Sequence, residues 1–194
     1  MRRQDVVRSV PKRQAEFLFG RLAARLALQK LGSETLDVPS GDYRQPLWPT
    51  GIVGSITHSA GYAAALVLRR GLVSAVGIDI ERVPEEAVHQ ALLSRVIDSE
   101  ELRTLKSLLD CELTQPTLVT LAFSAKEAFF KASFGVVGRY FDFSAVRVLS
   151  VDLVASTLEL YVNEPLGEEL APGTVHSITF GFLDADTLYT ACIW

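Results

Sequence analysis

The chain is poor in cysteine, histidine and methionine, and it has no long apolar run. Its 194 residues include only 2 Cys, 3 His and 1 Met. Cys111 and Cys192 lack metal-ligand spacing and argue against a disulfide framework, so both read as half-buried free thiols. No apolar run reaches the ~18 residues that a spanning helix needs. The N-terminal Met1-Arg2-Arg3-Gln4-Asp5 is basic, but no apolar signal core follows it, so a cytoplasmic protein is expected. There is no low-complexity tract, flexible linker or residue-level repeat, which excludes solenoid and collagen-like architectures. Gly51 and Gly54 lack the Lys-Ser/Thr pair of a P-loop, which excludes that nucleotide-binding class. His89 and His176 stand in no motif and read as structural.

What is present is ordinary globular composition with uneven charge. Hydrophobic residues make up 48% and charged residues 22%, enough for one medium domain or two small ones sharing an interface. The net charge is −4, but residues 1–30 carry eight Lys/Arg against two Asp/Glu, net +6. Residues 31–194 carry eleven against twenty-one, net −10. A basic first element on an acidic body fits either a solvated helix face or a focused anion site, and neither favours nucleic acid as a partner.

Periodicity predicts a helix over Arg13–Leu31, stopped by Gly32. Strand-like runs follow at Ile52–Ile56, Tyr62–Leu68 and Val73–Ile80, the last two reading as a hairpin across Arg69-Arg70-Gly71. Two short helices are predicted over Glu85–Ile97 and Ser99–Leu109, with Asp98 or Ser99 as cap. A longer helix spans about Thr117 to Phe134 and ends at Gly135. Strands then follow at Ala145–Ser150, Thr157–Val162, Val175–Phe182 and Thr187–Ile193. Helix-then-strands occurs twice. The order implies an α+β fold of two similar α/β halves related by a pseudo-twofold, 1–84 and 85–194, with an active site between them.

Three clusters carry chemistry. In Gly77-Ile78-Asp79-Ile80-Glu81, alternation puts Ile78 and Ile80 toward the core and Asp79 with Glu81 together on the other face. Two carboxylates there are either a solvated strand edge or a cation site. In Phe123-Ser124-Ala125-Lys126-Glu127-Ala128-Phe129-Phe130-Lys131, helical spacing aligns Val119, Phe123, Phe130 and Phe134 as an apolar stripe with Glu127 in its middle. A carboxylate there needs a partner. Either Lys131 at i+4 supplies it as a helix ion pair, or Glu127 is a third hard oxygen ligand beside a phosphate-binding lysine. Asp79, Glu81 and Glu127 together suit Mg²⁺, which takes a few carboxylates and leaves positions for water or phosphate. Metal-assisted phosphoryl-type chemistry is the natural class, with Lys131 and the N-terminal arginines as counter-charge. The third cluster, Trp48 to Ser59, has glycines flanking a strand that ends in a Thr57-His58-Ser59 turn, where the histidine is either structural or functional.

In combination these segments resemble the 4′-phosphopantetheinyl transferases, in particular the monomeric, enterobactin-synthetase-component branch that activates siderophore and other non-ribosomal peptide synthetases. The matching stretches are KRQAEFLFGRLAARLAL (Lys12–Leu28), RQPLWPTGIVGSITHS (Arg44–Ser59), VGIDIE (Val76–Glu81) and FSAKEAFFKA (Phe123–Ala132). Thr57 and Phe123 depart from the family's commoner serine and tryptophan. The resemblance implies that Asp79, Glu81 and Glu127 hold Mg²⁺ on the coenzyme A pyrophosphate. Lys131 would bind the leaving phosphate, assisted by Lys126. Arg13, Arg21 and His58 would grip the 3′-phosphate, with Arg44 near the adenine. Glu127 is the first choice for the base. The implied reaction moves phosphopantetheine from coenzyme A to a serine of an apo acyl or peptidyl carrier protein, carried out by a monomer. Two rival functions share these residues: a coenzyme A- or nucleotide-binding regulatory module, and a Mg²⁺-dependent pyrophosphohydrolase.

Overall fold

Pro11 opens helix α1 (Pro11–Leu31), where a missing N–H costs nothing. Gly32 closes it at φ 75°, with Ser33 N–H returning to the Leu28 carbonyl at 3.0 Å. A computed structural model of the chain describes residues 10–108 and 113–194, so Cys111 and the expected helix end at Leu109 lie outside the described residues. Strands β1 (Ile52–Ser59) and β2 (Tyr62–Arg69) form an antiparallel hairpin beneath α1. Its loop, Ala60-Gly61, has both φ values positive, 52° and 86°. That left-handed pair matches the strand twist and makes the tightest hairpin turn. The hairpin expected between Tyr62–Leu68 and Val73–Ile80 is therefore corrected: β2 turns back on β1.

Strand β3 (Val76–Arg82) instead joins a second sheet. After it come helices α2 (Glu86–Val96) and α3 (Ser99–Lys106), then α4 (Gln115–Val137) and a 3-10 turn at Phe143–Ala145. Strands β4 (Val146–Asp152), β5 (Thr157–Val162), β6 (Val175–Phe182) and β7 (Thr187–Ile193) complete a five-stranded antiparallel sheet in the order β3-β7-β6-β5-β4. The α+β class holds. A long helix lies on antiparallel strands twice, over a two-stranded and a five-stranded sheet, and the second sheet takes in β3 from before position 84. Among the described residues no helix is long and apolar enough to cross a membrane.

Two cores follow from this plan. Ala24 and Leu28 of α1 bury against Ile52 and Val67, while Leu118, Leu121, Ala125 and Phe129 of α4 bury against Leu158, Leu160, Ile178 and Leu188. Cys192 is fully buried in the second core, and burial pushes its thiol up. Helix α4 runs through Gly135 and stops at Gly138, φ 65°. Gly135 has open space and no left-handed backbone, so nothing makes it a stop. Of the stripe expected from Val119, Phe123, Phe130 and Phe134 only Val119 is fully buried in the core; Phe123, Phe130 and Phe134 are half-buried, and Phe129 takes the core position.

Where the two sheets meet, β1 and β3 run side by side, and side-chain hydroxyls replace backbone bonds. Ile78 N–H donates to Ser55 Oγ at 3.1 Å and Ile80 N–H to Thr57 Oγ1 at 3.2 Å. Gly77 brings α4 down onto this seam, because a Cβ there would overlap the Ala128 carbonyl. Any side chain at 77 would lift α4 off β3.

Candidate active site

That close approach decides which residues meet. Asp79 does not face solvent; it lies under α4, 3% exposed. Lys131 Nζ reaches its Oδ1 at 2.6 Å, and the ammonium spends its other two protons on the Ile78 carbonyl at 3.2 Å and Thr57 Oγ1 at 3.3 Å. Thr57 Oγ1 donates to Asp79 Oδ1 at 3.2 Å, and Ser124 Oγ donates to Oδ2 at 2.9 Å. The i+4 pair expected between Glu127 and Lys131 is thus replaced by a pair across the seam. Asp79 is closed in by other groups, whereas Glu127 is half-buried one turn before the lysine.

The carboxylates feel one another. Glu81 is pushed up to about 7, chiefly by burial and then by the charge of Asp79; Lys131 and a 3.4 Å hydrogen bond from Ser59 pull it down, and Glu127 adds a small push upward. Glu127 is also raised, by burial first and by Asp79, against the pull of Lys131. Three crowded acids on a desolvated seam are a donor set that a hard cation would relieve, and all-oxygen ligands are what Mg²⁺ takes. In the arrangement seen, the cation on Asp79 is Lys131. Among the described residues no group of three His, Cys, Asp or Glu side chains is placed to close on a metal ion.

The three residues expected at the 3′-phosphate come together with Arg44, expected near the adenine. Arg13, Arg21, Arg44 and His58 all line one pocket of about 470 Å³ between α1, the 40–46 loop and β1. Arg21 is the most telling. Burial lowers its pKa, Nη2 donates to Ser40 Oγ at 2.7 Å, and the buried Nη1 has no partner. A desolvated guanidinium with a spare donor is built to receive an anionic oxygen. Glu16 reaches into the same pocket, its Oε2 3.9 Å from His58 Nδ1. Arg44 occupies the left-handed region at φ 67°, at the loop position that lets it line this pocket and the adjoining cleft.

That cleft, about 820 Å³, is walled by Tyr43, Trp48, Phe130, Phe134 and Tyr140, with Lys131 at one side. Tyr140 stacks on Phe130 at 5.6 Å, and its hydroxyl donates to the Tyr43 carbonyl at 3.4 Å, joining the two halves. Sequence reading missed this aromatic wall. The Phe129-Phe130 pair was its signal, since two adjacent aromatics on one helix cannot both face the core.

Lys126 is a correction. It is 2% exposed, paired with Glu101 at 2.7 Å, and also donates to the Val96 carbonyl at 2.7 Å and the Phe143 carbonyl at 3.3 Å. Five residues turn a helix by about 140°, so Lys126 and Lys131 leave α4 on different sides. Glu101 has a second task. It forms the capping box with Asp98 at the start of α3 and accepts Val148 N–H at 2.7 Å. Lys126 is a structural cation and makes no contact with the cleft.

Comparison with known proteins fits this geometry. Residues 1–68 match a sequence model described as the 4′-phosphopantetheinyl transferase N-terminal domain, and residues 75–175 match one described as the 4′-phosphopantetheinyl transferase superfamily. The chain is 39% identical over 170 residues to enterobactin synthase component D of Salmonella typhimurium, covering 87% of this chain and 68% of that protein. It is 38% identical over 146 residues to the 4′-phosphopantetheinyl transferase PptT of Mycobacterium tuberculosis, covering 74% and 61%. Against enterobactin synthase component D of Escherichia coli K12 it is 42% identical over 123 residues, covering 63% and 55%. The chain thus spans between about half and two thirds of the length of these relatives.

Proposed function

This chain belongs to the 4′-phosphopantetheinyl transferase superfamily, and from that premise we propose that it transfers 4′-phosphopantetheine from coenzyme A to a serine of an apo carrier protein. The observation that carries the reading is the charge coupling of Asp79, Glu81, Glu127 and Lys131 at the β3–α4 seam, with Lys131 also lining a cleft that shares Arg44 with the pocket of the unpartnered Arg21 Nη1. In this reading the arginine pocket receives one phosphate of coenzyme A and the seam beside Lys131 receives its pyrophosphate.

In this mechanism Arg13, Arg21 and His58 bind the 3′-phosphate, and Arg44 holds the adenine end. Mg²⁺, held by Asp79, Glu81 and Glu127, would neutralise charge on the pyrophosphate. Glu127, with its raised proton affinity, takes the proton of the carrier serine, directly or through a water. The serine oxygen bonds to the β-phosphorus, and the bond from that phosphorus to the bridging oxygen breaks. The electron pair leaves on the α-phosphate of adenosine 3′,5′-bisphosphate. Lys131 turns from Asp79 to that leaving phosphate, where its charge matters most in the transition state. One chain supplies both sides of the cleft, so the enzyme is read as a monomer, working in the cytoplasm on a carrier of siderophore or other non-ribosomal peptide synthesis.

Bisphosphate release, followed chromatographically with coenzyme A and Mg²⁺, tests this reading. Release that requires apo carrier supports transfer. Release without carrier means a pyrophosphohydrolase, and coenzyme A binding with no release means a regulatory module; either overturns the proposal.

A further inference from the structure

Asp79 has a partner that takes no part in the mechanism above, and that partner is held by a second hydroxyl. Ser124 Oγ, on α4, donates to Oδ2 at 2.9 Å, and Thr190 Oγ1, on β7, lies 2.9 Å from Ser124 Oγ. Thr190 Oγ1 is also 2.9 Å from the Ser124 carbonyl oxygen. Both residues are 0% exposed, and Thr190 stands directly opposite Asp79 in the β3–β7 register.

Proton counting sets the directions. With the Lys131 ammonium 2.6 Å away, Asp79 is a carboxylate and can only accept. The single Ser124 hydroxyl proton therefore goes to Oδ2. Thr190 must then be the donor toward Ser124, sharing its one proton between Ser124 Oγ and the Ser124 carbonyl. Neither hydroxyl can turn to water instead. An alanine and a valine would suit the surrounding apolar core better, since a buried hydroxyl gains nothing over a methyl unless it is bonded. The terminal torsion of an aspartate is broad, so nothing on β3 itself fixes the plane of this carboxylate.

We propose that Ser124 and Thr190 are positioning residues, a two-hydroxyl relay that sets the orientation of the Asp79 carboxylate, an assignment that rests on the transferase reading above. Oδ2 is committed to α4, and Oδ1, which also accepts from Thr57, is left to face Lys131 and, when the lysine turns away, the cation. Outer partners of this kind orient a ligand that would otherwise lose affinity through misdirection.

Ser124→Ala and Thr190→Val remove one hydroxyl each at nearly constant volume, and Thr190→Ser keeps it. Mn²⁺ binding to the coenzyme A-free protein is read by electron paramagnetic resonance, beside carrier-loading kinetics and thermal melts. Ser124→Ala should weaken Mn²⁺ binding roughly 10–100-fold and lower kcat with KM for coenzyme A unchanged. Thr190→Val should move both in the same direction, and Thr190→Ser should restore them. Unchanged Mn²⁺ affinity per folded molecule, with only the melting temperature reduced, overturns the assignment, as does a wild type that binds no Mn²⁺. A wild type that loads no carrier sinks the transferase reading instead, while the Mn²⁺ ratios still decide the role of the relay.

Discussion

Replacing Lys131 by methionine removes the ammonium from Asp79 while keeping the length of the side chain. The carboxylate left behind is 3% exposed, and the two hydroxyls that remain on it do not carry charge. Orphaning a buried charge costs about 3–5 kcal/mol. The low end applies because the lysine side chain is itself 27% exposed and water can follow it in. About 3 kcal/mol lowers the melting temperature of a domain of this size by roughly 6–12 °C. The loss should be repairable. With the lysine gone, Asp79 Oδ1 is open to a divalent cation, and Mg²⁺ at 100 times its dissociation constant would return about 2.7 kcal/mol. Thermal melts of both proteins with and without Mg²⁺ provide the assay. A Lys131→Met protein that melts within about 2 °C of wild type, or gains less from Mg²⁺ than wild type does, refutes the claim that the lysine holds the cation position.

Arg21→Ala should weaken coenzyme A binding roughly 10–100-fold, the 1.5–3 kcal/mol of a charged hydrogen bond, and leave 3′-dephospho-coenzyme A nearly unaffected; calorimetry with both ligands checks it. Glu81 has a folded pKa of about 7 against an ordinary 4.5, so the folded protein holds more protons between those values. Stability should fall as pH rises through that window, Glu127 adding in the same sense, and Glu81→Gln should flatten the melting-temperature profile. Arg44→Gly removes a side chain from the left-handed region, so it should stabilise the protein by roughly 1 kcal/mol while weakening coenzyme A binding; a gain in both would contradict the placement of Arg44 at the ligand.

Strand positions β5, β6 and β7 were legible because alternation over Thr157–Val162, Val175–Phe182 and Thr187–Ile193 is a local property. Strand pairing was not. Ala60-Gly61 and Arg70-Gly71 look alike as breaks, and only the backbone tells that the first is a two-residue turn and the second a crossing into another sheet. The site shows the same division. The spacings of Asp79, Glu81, Glu127 and Lys131 pointed to the seam where Lys131 meets Asp79, and the basic first helix pointed to the pocket that Arg13 and Arg21 line. Which acid the lysine touches depended on Gly77 admitting α4, a long-range contact that no spacing encodes. Lys126 and Lys131 read as equals in the sequence, but the buried carboxylate of Glu101, 25 positions before Lys126, claims only one.

The most direct measurement is the intact mass of an apo carrier protein after incubation with coenzyme A, Mg²⁺ and either wild type or Glu127→Gln. Wild type should add one phosphopantetheine to the carrier. The Glu127→Gln protein, folded and with an unchanged or higher melting temperature because a half-buried carboxylate is gone, should leave nearly all of it unmodified. A folded Glu127→Gln protein that loads the carrier at the wild-type rate, or a wild type that never changes the carrier's mass across a panel of carriers, would contradict the account.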